Sequence, residues 1–134
     1  MIAVDTSLVV AGFASWHEAH EPARTVLSRR PRLPAHVAVE SYSVLTRLPP
    51  PHRCEAEIVE EFLRRRFHEP PLTLPADAVI SLLKQASANG IAGGSIYDAL
   101  VGATARHAGA RLLTRDRRAI PVYEIVGVRY EFVA

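Results

Sequence analysis

Residues 1–10 read Met-Ile-Ala-Val-Asp-Thr-Ser-Leu-Val-Val. Ile2 to Val4 is a short apolar run without alternation, as expected of a strand buried on both faces of its sheet. Asp5 ends the run. Asp5-Thr6-Ser7 then reads as a turn into a helix carrying Leu8, Val9 and Val10, so strand, turn and helix follow one another directly. Such a unit opens an α/β domain, and a carboxylate at the C-terminal end of its strand stands where open α/β sheets place ligand sites. Asp5 is equally suited to cap the helix that follows.

Working outward, Ala19, Ala23, Val26 and Leu27 recur at helical spacing and predict a helix over about His17 to Ser28. Arg32-Leu33, between Pro31 and Pro34, is a two-residue strand candidate. From Ala35 the spacing of Val37, Val44, Leu45 and Leu48 is helical again until Pro49-Pro50-Pro51, a stiff loop that no helix crosses. Cys54 to Phe67 is amphipathic, with Cys54, Ile58, Phe62 and Leu63 as the apolar stripe and a solvated face of Glu and Arg. Leu72-Thr73-Leu74 is a short strand. Ala76 to Asn89 is a helix stopped by Gly90. Ser95 to His107 has almost no polar face and should be the central, buried helix. Ala110 to Leu113 with Thr114 is a strand, Arg117 to Val126 a short helix ended by Gly127, and Val128 to Phe132 the last strand. Strands alternating with helices predict an α/β domain on a mostly parallel sheet, and 134 residues fit a single domain, 1–134.

The composition, with 49% hydrophobic and 22% charged residues, excludes a disordered or fibrous chain. Net charge is only +2, although fifteen of the sixteen basic residues are Arg; coding bias accounts for this excess, and the planar Arg fork would also suit phosphate. One cysteine, Cys54, rules out an internal disulfide and a cysteine-based metal cluster. No cationic segment precedes an apolar stretch at the N-terminus, and no apolar run is long enough for a membrane span, so the expectation is a soluble cytoplasmic protein.

Four carboxylates do not fit their local patterns. Asp5 is the first. Glu40 shares a helix face with Val37 and Val44, where a carboxylate is desolvated unless compensated. Asp98 stands in the first turn of the most apolar helix, where it could also form a capping pair with Ser95. Asp116 follows the strand through Leu113 and projects on the side of Thr114; it could also be a turn residue paired with Arg115, Arg117 or Arg118. One arrangement accounts for all four, in which the C-terminal edge of the sheet gathers them into one pocket. Clustered anions repel, so some stay protonated or bind a cation. All-oxygen donors select Mg²⁺ or Mn²⁺ over zinc, and such an ion takes its remaining ligands from water and phosphate. Phosphodiester chemistry follows.

Val-Asp-Thr-Ser at the start, the helical Glu40, Ile-Tyr-Asp-Ala around Asp98 and Leu-Leu-Thr-Arg-Asp at Asp116 occur in an order that resembles a PIN-domain ribonuclease. More closely, the chain resembles a VapC-type toxin of a bacterial toxin–antitoxin pair. The resemblance implies a three-layer α/β/α fold with a short central parallel sheet, cleavage of RNA at an acidic Mg²⁺ or Mn²⁺ site, homodimerisation, and silencing by a cognate VapB-like antitoxin. It implies catalytic roles for Asp5, Glu40, Asp98 and Asp116. Asp5, Asp98 and Asp116 would hold metal, Glu40 would serve the attacking water, and the products would carry 5′-phosphate and 3′-hydroxyl ends. Thr6, Ser95 and Thr114 would match the polar residues that line such a site. Arg115, Arg117 and Arg118 are candidates for flanking phosphates. Many relatives carry a further acidic residue just after Asp116, where this chain has Arg117, Arg118 and Ala119.

The remaining signals are weaker. Gly93-Gly94-Ser95 reads as a loop, since no G-x-G-x-x-G and no P-loop lysine accompany it. His17 and His20 are three apart, short of the metalloprotease spacing, and read as surface helix residues. Cys54 reads as packed core and Trp16 as a packing anchor or, where exposed, as a contact for the antitoxin or a second subunit. Two rivals share the acidic pocket. A response-regulator receiver needs a late lysine after a strand, whereas Lys84 is the only Lys and falls in a helix. A catalytically silent RNA-binding or regulatory module would keep the same fold.

Overall fold

The computed structural model describes residues 1–134. The chain runs β1 (Ile2–Val4), α1 (Thr6–Phe13), α2 (His20–Ser28), α3 (Ala35–Thr46), α4 (Ala56–Arg66), α5 (Ala76–Ala88), α6 (Ser95–His107), β2 (Arg111–Thr114), α7 (Ile120–Val126) and β3 (Tyr130–Phe132). The three strands form a parallel sheet in the order β1-β2-β3. Two neighbours in β2, Leu112 and Leu113, point to opposite faces, and both are fully buried. Helices therefore cover the sheet on both sides, giving the three-layer α/β/α arrangement. α1 and α6 pack directly on β2, and α6 also meets α3, α5 and α7.

The two shortest predicted strands survive only as single bridges, Ala3 with Arg32 and Pro34 with Leu72, both parallel. Prolines at 31, 34, 70, 71 and 75 remove the ladder donors that longer strands would need. The bridges still extend the sheet beyond β1, through Val4 N–H to Arg32 O at 3.2 Å and Leu72 N–H to Leu33 O at 2.9 Å.

Several predicted boundaries shift for identifiable reasons. α2 begins at His20 because the His17 ring nitrogen accepts the Ala19 amide at 3.0 Å, holding that segment in a turn. His17 is thus a turn residue, outside the helix expected for it. α4 begins at Ala56 because the Cys54 amide is tied back to Leu45 O at 3.0 Å. Its core-facing stripe is Val59, Phe62 and Leu63, with Phe62 set edge-on to Phe13 at 4.8 Å. Ile58 is exposed and Cys54 only half-buried, which corrects their assignment to the core. α7 begins at Ile120 because the Asp116 carboxylate accepts the Arg118 amide at 3.0 Å and closes a turn first.

α6 is the helix that fixes the site. Gly102 lets it approach α7 so closely that a methyl there would stand 2.8 Å from Val126 Cγ2 and 3.1 Å from Tyr123 Cδ1. Both of those side chains are buried. Gly102→Ala gains about 1 kcal/mol of helix propensity but overpacks this contact by about 1–3 kcal/mol. The expected outcome is a net loss of stability in urea unfolding. A variant as stable as the parent would show that α7 yields freely.

Candidate active site

The β1–β2 register pairs Val4 with Leu113, so Asp5 and Thr114 leave the sheet side by side at its C-terminal edge. Asp5 caps α1, accepting the Ser7 amide at 3.1 Å, so its capping role is realised together with its place at the strand end. It is only 5% exposed. Its Oδ1 also accepts the Ser7 hydroxyl, and its Oδ2 accepts the Thr114 hydroxyl and Tyr123 OH, the latter at 2.9 Å. Each of the two aliphatic hydroxyls in turn accepts a backbone amide from the segment after β2. Ser7 Oγ takes Arg115 N–H and Thr114 Oγ1 takes Asp116 N–H, both at 2.9 Å. The Asp5 carboxylate thus sets the path of the chain that carries Asp116.

Burial pushes the Asp5 carboxyl up, while the bonds from Ser7, Thr114, Tyr123 and the Leu8 amide hold it down. Burial raises Tyr123 as well, and the Asp5 charge raises it further, so the phenol stays protonated and remains a donor.

Beside this buried group lies an open cleft of about 560 Å³, lined by Thr6, Ser7, Glu40, Asp98, Asp116 and Arg118 together with Val10, His17, Glu18, Val44 and Arg115. The structure therefore brings Glu40, Asp98 and Asp116 to one cleft with Asp5 behind it. Burial lifts Asp98 to about 6, and the charges of Asp116, Glu40 and Asp5 add to the rise while Arg118 opposes it. Its expected capping pair with Ser95 is absent. α6 starts after Gly94 without a side-chain cap, which leaves the Asp98 carboxylate free for the cleft.

Other expectations need correction. Glu40 is not desolvated, since its side chain is 40% exposed; the Thr6 hydroxyl donates to it and fixes it at the border of α3, with His36 Nε2 3.7 Å away. Thr114 is fully buried and cannot touch a substrate. Ser95 does not line the cleft. Arg117 turns away, with its guanidinium 3.9 Å above the Phe132 ring. Arg115 lines the cleft but spends one donor on Val133 O at 2.9 Å. Arg118 keeps a 93% exposed side chain, with Nε 3.5 Å from Asp116. Sequence reasoning missed Ser7 and Tyr123 as partners of Asp5. Ser7 could have been found from its i+2 spacing to a capping Asp, whereas nothing local marks Tyr123.

The donor set is hard oxygen, and the charges of Asp116, Glu40 and Asp5 add to the burial that raises Asp98, so these residues suit a hard divalent cation in kind. No three acidic side chains converge closely enough to enclose an ion by themselves.

The PIN domain family matches residues 2–125. The chain belongs to this family. Over 133 residues it is 51% identical to Ribonuclease VapC40 of Mycobacterium tuberculosis, in strains CDC 1551 / Oshkosh and H37Rv, covering 99% of both chains. It is 38% identical over 128 residues to Ribonuclease VapC27 of strain H37Rv, covering 95% of this chain and 93% of that one. Membership of the PIN domain family sets aside the receiver alternative. No helix is long and apolar enough to cross a membrane.

Two outcomes test this geometry. Thr114→Val keeps the volume but leaves the Asp116 amide without an acceptor and Asp5 one donor short; it should lower stability by about 1–3 kcal/mol, and Thr114→Ser should restore most of it. Asp98 gives a pH signature. Its folded-state value exceeds the ordinary one, so its extra proton stabilises the fold fully below about pH 4, and that contribution disappears as the pH rises through about 6. In EDTA, Asp98→Asn should therefore raise unfolding stability near neutral pH by roughly 1 kcal/mol, after discounting for partial exposure, and give no gain near pH 4. A gain independent of pH would contradict the crowding.

Proposed function

We propose that the protein is a metal-dependent endoribonuclease, the toxin of a toxin–antitoxin pair. The observation that carries this reading is the cleft in which Asp98 is crowded by Asp116, Glu40 and Asp5 while Arg115 and Arg118 stand at its rim. Relatives named as ribonucleases, aligned over nearly the whole chain, support it.

Asp98 and Asp116 would hold Mg²⁺ or Mn²⁺, with Asp5 behind them as buried ligand and anchor. Held there, such an ion would supply Lewis-acid polarisation of the scissile phosphate and a counter-charge for the leaving 3′ oxygen. Glu40, held by the Thr6 hydroxyl and open to solvent, accepts the proton of the attacking water. The water oxygen bonds to phosphorus as the bond to the 3′ oxygen breaks, and the leaving 3′ oxygen takes a proton from solvent water, giving 5′-phosphate and 3′-hydroxyl ends. Arg118, and the free donors of Arg115, hold neighbouring phosphates. A cognate VapB-like antitoxin and a second copy of the chain are the expected partners, and the cytoplasm the expected compartment.

Mixing the purified protein with RNA and titrating Mg²⁺ or Mn²⁺ against an EDTA control tests the reading. Cleavage should need the metal, and Asp98→Asn should reduce it by at least about two orders of magnitude while the fold persists. RNA bound but never cut under any divalent ion would identify a silent binding module instead. Arg118→Ala should make RNA affinity less salt-dependent, lowering the logarithmic slope by about 1.

A further inference from the structure

Two aromatic stacks, each with an exposed ring, stand next to residues that line the acidic cleft without lining it themselves, and nothing in the nuclease chemistry above uses Trp16 or Tyr97. Trp16 lies in the turn between α1 and α2, whose ends are pinned by buried Ala14 and Ala19. The turn therefore projects the indole outward, and it is 48% exposed even with His52 stacked on it at 4.1 Å and 29°. On its other neighbour, 5.9 Å away, is His17, which lines the cleft. The second stack is Tyr97, 53% exposed, lying parallel to His36 at 5.1 Å. Tyr97 precedes Asp98 in α6, and His36 stands one helical turn before Glu40 in α3, 3.7 Å from its carboxylate. Both stacks are thus one residue away from groups that face the cleft, and they come from different elements.

An indole or phenol half out of water, beside a cleft with exposed guanidinium, suits one kind of occupant. The flat faces favour a nucleobase, and Arg118 and Arg115 favour the phosphates between bases. Bases paired in a helix have no free face to offer, whereas unpaired bases do. We propose that Trp16 and Tyr97 are base-stacking platforms that seat unpaired RNA bases on either flank of the phosphate held in the cleft. Trp16 is the principal platform, with His52 riding on or yielding to the incoming base. The proposal rests on the nuclease reading for its substrate, but its signal is separate from cleavage.

Trp16 is the only tryptophan, so intrinsic fluorescence reports on it alone. In EDTA, a short single-stranded RNA of mixed sequence should quench it. The same RNA annealed to its complement, or with its bases removed as abasic sites, should quench it far less. With metal present, Trp16→Ala should raise KM about tenfold and leave kcat within about twofold, and Trp16→Phe should recover most of the loss. Tyr97→Ala should raise KM similarly, with Tyr97→Phe close to the parent. Normal cleavage without quenching, equal quenching by duplex, or an unchanged KM in Trp16→Ala would overturn the proposal. Quenching by the purified antitoxin and by no RNA would also overturn it, assigning Trp16 to a protein interface. Quenching without cleavage under any divalent ion would support the platform and count against the nuclease reading alone.

Discussion

The buried carboxylate of Asp5 is the constraint on which the rest of the site depends. A carboxylate this deep is tolerable only when its oxygens are filled by donors, and here four donors from three regions of the chain meet it. Two of them, the Ser7 and Thr114 hydroxyls, pass the constraint on by accepting the amides of Arg115 and Asp116. A hydroxyl that donates to a carboxylate and accepts an amide is fixed in direction, so one ionisable group orders the exit of β1, the start of α1 and the exit of β2 together. Removal of any one partner leaves the others short, which makes the arrangement cooperative.

That arrangement needs the fold to deliver its parts, and the parallel sheet does most of this. Strands that run the same way end on the same side, so the residues after Val4 and Leu113 become neighbours although more than a hundred positions separate them. The fourth donor comes by a different route. Tyr123 reaches Asp5 only because α7 lies tight against α6, and Gly102 is what permits that approach. The helix that presents Asp98 to solvent on one turn therefore supports Asp5 from within on another.

These facts explain why some of the site was legible in the sequence and some was not. The strand-turn-helix opening and most of the helical spacings are local patterns, and they survive translation into structure. Register and cap geometry are less local. Ser95 lost its capping role to Gly94, and Arg117 found the Phe132 ring, a residue whose position depends on β3. Thr114 was read as a residue that meets substrate, but a side chain alternating inward from a strand buried on both faces has no such freedom. Glu40 shows the opposite failure. The apolar neighbours Val37 and Val44 suggested a buried face, yet only Val37 is fully buried, and the carboxylate sits where that face meets the cleft. Tyr123 was invisible because its role depends on the packing of two helices, which no spacing within α7 encodes.

Charge arithmetic alone hides the principal tension in this protein. A net charge of +2 looks bland, but four of the fourteen acidic residues gather at one edge of the sheet, leaving the rest of the surface more basic than the sum suggests. The two arrangements oppose one another for a polyanion, which is drawn to the guanidinium groups and repelled by the carboxylates. Without a counter-charge the acids also repel each other, and at Asp98 the charges of Asp116, Glu40 and Asp5 add to the rise that burial begins. On the proposed function, a divalent cation would resolve both conflicts at once, relieving the repulsion among the acids and reversing the sign of the cleft toward phosphate. The crowding that weakens the folded chain would then be the same property that suits the cleft to a cation and, through it, to a phosphodiester.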